Sequence, residues 1–211
     1  MLSLWACIEE RNIERAMEWV RLDPESLYLE QDGVTPILMA AYKEQFALAE
    51  WMATEKQECS LAELLAIPLM DKVRQLLNAE KLAYLNAYTT DGYTPLGLVV
   101  HLGHTEPFDY LLKLGANPNT GNPRKGHVAP LHLAVNRKDF YMVDRLLSAG
   151  ANPNQPQQKG ITALHQAAYH GLQTITERLI AAGADADAVC ENGFTPADYA
   201  RQQGHPWKLP S

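Results

Sequence analysis

The stretch "APLHLAVNRKDFYMVDRLLSAGANPN", residues 129–154, decides the fold because it contains two short helical patterns and a terminator. Leu131 and Val135 are spaced to share one face of the first helix, and Val143 and Leu147 one face of the second. Gly150 then supplies the left-handed stop that commonly ends a helix. The stretch has no nucleophile motif, no glycine-rich phosphate loop and no metal-ligand spacing. It therefore predicts a helix–turn–helix unit without chemistry of its own.

The same pattern occurs in neighbouring segments of the chain, at "TPLGLVVHLGHTEPFDYLLKLGANPN" upstream and "TALHQAAYHGLQTITERLIAAGADAD" downstream. The second helix of each copy ends, at spacings of 35 and 33 residues, at Gly115, Gly150 and Gly183. The first helix opens, at spacings of 35, 33 and 33 residues, at Pro95, Pro130, Ala163 and Pro196. One copy cannot bury its apolar face alone, so the repetition predicts stacked units.

Three motifs, "APLHLAV" at 129–135, "TALHQAA" at 162–168 and "GFTPADYA" at 193–200, resemble the ankyrin repeat family. The resemblance implies an all-α solenoid of helix–turn–helix units with short β-hairpin fingers. Threonine before the first helix suits an N-cap, and proline at the first helical position needs no donor. The N-caps predicted in this way are Thr94, Thr162 and Thr195.

The resemblance divides the chain, as one solenoid domain, into four parts. N-terminal capping helices are expected in 1–31, two irregular repeats in 32–90, three regular repeats in 91–187 and a truncated C-terminal capping repeat in 188–211. Only 24 residues separate Pro36 from Ser60, so about nine residues of the usual finger are missing there. Conversely, the finger in "TGNPRKGHVA", 120–129, is two residues longer than the next. Such an insertion often marks the binding face, although a tolerated surface insertion is the alternative.

Charge and cysteine content limit the classes of partner. The net charge is −7, with 15 acidic and 8 basic residues in 1–90 and 10 of each in 91–211. Because Lys and Arg are not clustered in the sequence, it predicts neither nucleic acid nor an anionic membrane as a partner. Three scattered cysteines suit a reducing compartment, and neither a signal peptide nor a membrane-spanning run is evident. We expect a soluble, monomeric, cytoplasmic protein without a cofactor.

Candidate catalytic and metal-binding residues do not form a recognisable set. The resemblance implies that His132 and His165 stabilise backbone between neighbouring copies. His101 and His104 lie three residues apart, but no carboxylate or thiol completes a metal site. No nucleophile motif surrounds the three cysteines, although Cys59 and Cys190 are expected to be exposed while Cys7 is packed. The sequence therefore predicts no enzyme and no metal, with a cysteine-dependent enzyme as the remaining alternative.

The resemblance places binding residues on the fingertips and at the end of the first helix of each copy, where they line a concave face. Carried over to this sequence, the predicted contact residues are Tyr42, Lys43, Tyr93, His101, Arg124, Lys125, His127, Asn136, Arg137, Lys159, Ile161, Tyr169, His170 and Phe194. Tyr and Arg are enriched at interface hot spots. The alternative is that the aromatic residues only pack on neighbouring fingers. We expect the partner to be a protein with an acidic surface. The protein itself is expected to act as a scaffold or inhibitor; the alternative is a microbial effector that captures a host protein.

Overall fold

The chain folds into two compact units, Met1–Pro107 and Phe108–Ser211. A computed structural model describes residues 3–67, 69–77 and 82–208. The parts of the predicted repeats at 1–2, 68, 78–81 and 209–211 lie outside the described residues.

The first unit is built from short helices joined by turns. Its helices are α1 (Leu4–Glu9), α2 (Ile13–Leu22), α3 (Pro36–Tyr42), α4 (Phe46–Glu55), α5 (Leu61–Ala66), α6 (Met70–Leu76) and α7 (Pro95–Leu102). Turns of 3-10 helix occupy Pro24–Tyr28 and Leu82–Asn86. The next helix, α8 (Thr105–Lys113), begins before the end of this unit.

The second unit continues the alternation of paired helices. Its helices are α9 (Pro130–Asn136), α10 (Phe140–Ser148), α11 (Ala163–Tyr169), α12 (Gln173–Ala181) and α13 (Pro196–Gln202). Within the described part of the chain there is no regular β-strand, and the fingers are narrow turns. Two of them carry one isolated bridge each, Gln31 with Val34 and Asn122 with Val128. The predicted all-α architecture is confirmed, but the fingers are too short to form the expected β-ladders.

The predicted helix starts have the expected chemistry, with one variation. The hydroxyl of Thr94 accepts a hydrogen bond from the Gly97 amide at 3.1 Å, and that of Thr195 accepts one from the Asp198 amide at 3.3 Å. Ahead of α11, the amide of Thr162 instead donates to Nδ1 of His165, at 3.2 Å. Each arrangement uses a backbone amide that the helix itself leaves without a partner.

Glycine ends the second helix of each regular copy for a conformational reason. Gly115, Gly150 and Gly183 have φ values of 87°, 86° and 89°, in the left-handed region that a β-carbon disfavours. A β-carbon at these positions would meet nothing within 4 Å, so steric crowding does not select glycine. The predicted left-handed stops are therefore confirmed.

Hydrogen bonds between successive "ANPN"-type turns set the register of copies in the second unit. The side chain of Asn119 donates to the carbonyl of Gly150 at 3.0 Å and accepts from the amide of Asn152 at 2.7 Å. Asn154 repeats both contacts one copy later, donating to the Gly183 carbonyl at 2.8 Å. These bonds satisfy carbonyls that the helix ends leave open, so each turn also caps the next copy.

Candidate functional site

The candidate site is an open groove in the second unit, formed by the first helices of successive copies and by their fingers. Its volume is about 390 Å³. The residues lining it are Asn136, Lys159, Ile161, His165, Gln166, Tyr169, His170, Asn192 and Tyr199. The structure thus brings together five of the predicted contact residues, namely Asn136, Lys159, Ile161, Tyr169 and His170.

Helix α11 places two of the lining side chains by its periodicity. Leu164, Ala167 and Ala168 are buried, which fixes the inward face of the helix. Gln166 and Tyr169 are three residues apart and both reach the groove, as expected for one helix face. The helix ends at Tyr169, so this ring stands at the groove margin with 44% of its surface exposed.

The ring of Tyr199, on α13, lies at the centre of an aromatic cluster. It meets the rings of His165, Tyr169 and Phe194 edge to face, with centroids 5.4, 6.3 and 6.3 Å away. The idea that these aromatic residues pack on neighbours is therefore correct in part. Phe194 nevertheless keeps 40% of its surface exposed. Because the rings already support one another, little side-chain entropy remains to be lost on binding.

Three polar groups of the groove have properties that matter for binding. Oε1 of Gln166 is buried and has no hydrogen-bond partner, and an unsatisfied buried acceptor is costly unless a ligand supplies a donor. Burial lowers the pKa of His170, and Coulombic interactions with Lys138 and His205 lower it further. Its imidazole is therefore uncharged at neutral pH. Lys159 supplies positive charge at the tip of its finger, where its φ is 66°.

Other predicted contact residues in this unit lie on exposed segments outside the groove lining. Arg124, Lys125 and His127 belong to the finger between Asn122 and Val128, and Arg137 follows α9. Five residues separate the bonded ends of that finger, whereas three separate Gln157 from Ile161 in the next. The longer finger predicted from the two extra residues is therefore confirmed.

Three predicted contact residues of the first unit, Tyr42, Tyr93 and His101, form a contact cluster of their own. Tyr93 is only 3% exposed and stacks on the ring of His101, with centroids 5.1 Å apart. The prediction that Tyr93 contributes to an exposed face is wrong, because its ring folds back onto α7. Tyr42 meets His101 edge to face at 5.7 Å and donates its hydroxyl to Asp91. Burial, followed by the Asp91 carboxylate, raises the pKa of Tyr42 well above its usual value. Lys43, at the end of α3, is half-buried.

Four groove residues are absent from the predicted contact residues, namely His165, Gln166, Asn192 and Tyr199, and two of them, Tyr199 and Gln166, share a repeat position. These two occupy the fourth position of the first helix in their copies, where the two preceding copies have the buried residues Leu98 and Leu133. A change from leucine to a side chain with a polar end at one repeat position was the available signal. From the copy that contains Gln166 onward, this helix position faces the groove and no longer the core.

The histidines of the repeat motif make structural contacts. His165 Nε2 lies 3.2 Å from the carbonyl oxygen of Phe194 in the next copy. Nδ1 of His132 accepts from the amide of Ala129 at 3.2 Å, and Nε2 of His104 lies 2.9 Å from the Ala66 carbonyl oxygen. The prediction that the motif histidine stabilises backbone between neighbouring copies is confirmed for His165. At His132 the contact with Ala129 lies within one copy, and Nε2 is buried without a hydrogen-bond partner. In the residues that the structure describes, no group of three or more His, Cys, Asp or Glu is placed to hold a metal ion.

The three cysteines are free thiols in distinct environments. Cys7 and Cys190 are buried, and Cys59 is half-buried. The expected exposure of Cys190 is wrong, since its sulfur packs 3.8 Å from the hydroxyl oxygen of Tyr199. Burial and the nearby Glu63 carboxylate raise the pKa of the Cys59 thiol. A raised pKa keeps a thiol protonated and therefore poorly nucleophilic at neutral pH.

None of the helices in the described ranges is both long enough and apolar enough to cross a bilayer. The longest helices in the described part of the chain, α2 and α4, have 10 residues each. A membrane-spanning helix needs about 20.

Comparison with known sequences agrees with the repeated geometry. A model for three ankyrin repeat copies matches residues 131–209, and a model for a single ankyrin repeat matches residues 91–123; together they cover more than half of the chain. Over 80 residues, 38% of this chain, the sequence is 36% identical to the ANK repeat-containing protein nipk-1 of Caenorhabditis elegans. The chain spans only 13% of that relative's length. With its paired helices, left-handed glycine stops and repeat-to-repeat histidine contact, the chain belongs to the ankyrin repeat family, whose repeats generally mediate protein–protein interaction.

Proposed function

We propose that this protein binds a partner protein through the groove of its second unit and acts as an intracellular scaffold or inhibitor. The observation that carries the proposal is the aromatic cluster of Tyr169, Tyr199 and Phe194 beside the unpartnered oxygen of Gln166. Aromatic residues with a polar end supply most of the binding energy in many interfaces. A donor from the partner would relieve the buried acceptor, which favours a specific contact over general adhesion.

The partner that suits this groove presents an acidic surface around an apolar centre. Lys159 lies in the groove, and Arg124, Lys125 and Arg137 are exposed on neighbouring parts of the same unit. Opposite charge on the partner would accelerate association, while the aromatic residues would slow dissociation. We propose binding without catalysis, since ankyrin repeat proteins are typically non-enzymatic interaction modules. The raised pKa of the Cys59 thiol and the burial of Cys7 support this.

Replacing Tyr169 by alanine is expected to weaken partner binding by about 1–3 kcal/mol, because the ring is an exposed part of a preformed cluster. The measurement is the dissociation constant for a partner recovered by affinity capture from native lysate. Tyr141→Ala is the matched control. Tyr141 is 46% exposed, lies on α10 and does not line the groove. Equal losses for the two variants would contradict the proposed site.

Replacing Arg124 and Lys125 together by alanine is expected to slow association and to flatten its dependence on salt. Both side chains are exposed on the long finger, where they steer more than they anchor. Association and dissociation rates measured over a range of salt concentrations test this. A change confined to the dissociation rate would show that the finger makes a close contact instead.

A further inference from the structure

The first unit contains a cavity where one copy lacks its finger. Helix α4 ends at Glu55 and α5 begins at Leu61, which leaves no room for a full finger between them. The fingers on either side close over the gap, because the Thr90 hydroxyl donates to the Gly33 carbonyl at 2.5 Å. Beneath this contact lies a cavity of about 370 Å³. The missing finger thus leaves an open hollow of a size suited to a side chain of another molecule.

The cavity presents mainly aromatic surface to a ligand. Tyr28, Tyr84 and Tyr88 line it, and each is about half exposed. The charged group at its floor, Glu63, is already satisfied: it accepts hydrogen bonds from the Thr35 hydroxyl, the Lys56 amine and the amide and hydroxyl of Ser60. A ligand therefore meets the faces of the tyrosines more readily than an unsatisfied charge.

Lys56 shows which chemistry these walls accept. Its ammonium nitrogen lies 4.7 Å from the centroid of the Tyr28 ring and 2.8 Å from a carboxylate oxygen of Glu63. A cation over an aromatic face is stabilised by the quadrupole of the ring, and most strongly where water is excluded. The protein thus already holds one ammonium group against a wall of this cavity.

Acidic residues surround the same tyrosine. Glu30 lines the cavity, and Tyr28 also lines a second hollow of about 400 Å³. The residues that line this acidic hollow are Pro24, Glu25, Tyr28, Glu55, Gln57 and Glu58. It contains three carboxylates and no basic side chain among its lining residues, so it complements positive charge.

We propose that the tyrosine-lined cavity and the acidic hollow together bind an extended basic peptide segment. One arginine or lysine side chain enters against Tyr84 and Tyr88 on the Glu30 side of the cavity, because Lys56 already covers the ring of Tyr28. A second basic side chain lies against Glu25, Glu55 and Glu58. This site is independent of the groove in the second unit and is opposite to it in charge preference.

The probe is the peptide acetyl-Gly-Arg-Gly-Arg-Gly-amide, titrated into the full chain and followed by amide chemical shifts. Its neutral counterpart carries citrulline, which has nearly the shape of arginine without the charge. Saturable shifts are expected within residues 28–35, 55–63 and 84–90, with affinity about tenfold weaker for the citrulline peptide. Equal affinity for the two peptides, tighter binding of the matching glutamate peptide, or no saturable shifts would overturn the proposal.

Two pairs of variants distinguish binding at this site from attraction of the peptide to the net negative charge of the protein. Tyr84→Leu with Tyr88→Leu is expected to weaken binding of the arginine peptide several-fold, whereas Tyr141→Leu in the second unit leaves it unchanged. Changing Glu25, Glu55 and Glu58 to Gln is expected to weaken binding and reduce its salt dependence. The same change at the exposed Glu9, Glu10 and Glu50 removes equal charge outside both hollows. Equal losses for the two triple variants would show attraction to net charge alone and refute the site.

Discussion

Replacing Glu63 by glutamine is expected to lower the free energy of unfolding of the first unit by about 3 kcal/mol. Glu63 is 0% exposed, and its partner Lys56 has a side chain that is 7% exposed. The change leaves the Lys56 ammonium buried without its counter-charge. It also weakens the bonds that the carboxylate accepts from Thr35 and Ser60, which close the start of α5.

The measurement is urea unfolding followed by tryptophan fluorescence in a Trp207→Phe background, since the other three tryptophans, Trp5, Trp19 and Trp51, lie in the first unit. Lys56→Met added to Glu63→Gln is expected to recover part of the loss, because no isolated buried charge then remains. Asp71→Asn is the control. Asp71 pairs with Arg74 at the surface with 95% of its side chain exposed, so its loss should change stability by less than about 1 kcal/mol. Similar effects for Glu63 and Asp71 would contradict the assignment of a buried ion pair.

Acidification is expected to destabilise the second unit through His132. Burial, opposed in part by backbone hydrogen bonds, lowers the pKa of His132 to about 4. Its ordinary value is about 6.5. Below pH 6.5 the unfolded chain takes up a proton that folded His132 does not accept. The stabilisation is therefore complete above pH 6.5 and is lost as the pH falls towards about 4.

This side chain alone should account for about 2 kcal/mol of lost stability between pH 7.5 and 5. The check compares urea unfolding of the protein with that of His132→Gln at both pH values, followed by far-ultraviolet circular dichroism. The variant is expected to be less stable at neutral pH but to lose less on acidification. Burial also lowers the pKa of His165. His165 therefore adds a loss of stability on acidification to both proteins. Parallel losses in the two proteins would show that His132 takes up its proton in the folded state.

The helices and their ends could be predicted because local rules determine them. The period of 33 to 35 residues located the copies, and glycine at 115, 150 and 183 marked the left-handed stops that the structure contains. The two extra residues in the 122–128 finger appear as a longer loop for the same reason. Such features can be predicted from the length of a segment and from the backbone conformations that one residue allows.

Side-chain exposure on the fingers could not be predicted from one copy, because the neighbouring copy decides it. Tyr93 and Phe194 occupy the same place in their fingers, yet Tyr93 stacks on His101 and is buried while Phe194 remains partly exposed. Cys190 is covered because Tyr199 lies beside it. The cavity of the first unit follows from a finger that is absent, and its walls come from residues distant in sequence. Each of these features depends on contacts between copies.

Photo-crosslinking from the groove tests the central claim, that this surface binds a protein partner. Benzoylphenylalanine is placed at position 169, or at position 141 as the matched exposed tyrosine on α10. Each protein is irradiated in native lysate, and products larger than the free chain are identified by mass spectrometry. The predicted result is a product with one partner protein from position 169 that position 141 does not give. The same partner attached from position 141, with no product from position 169, would contradict the claim.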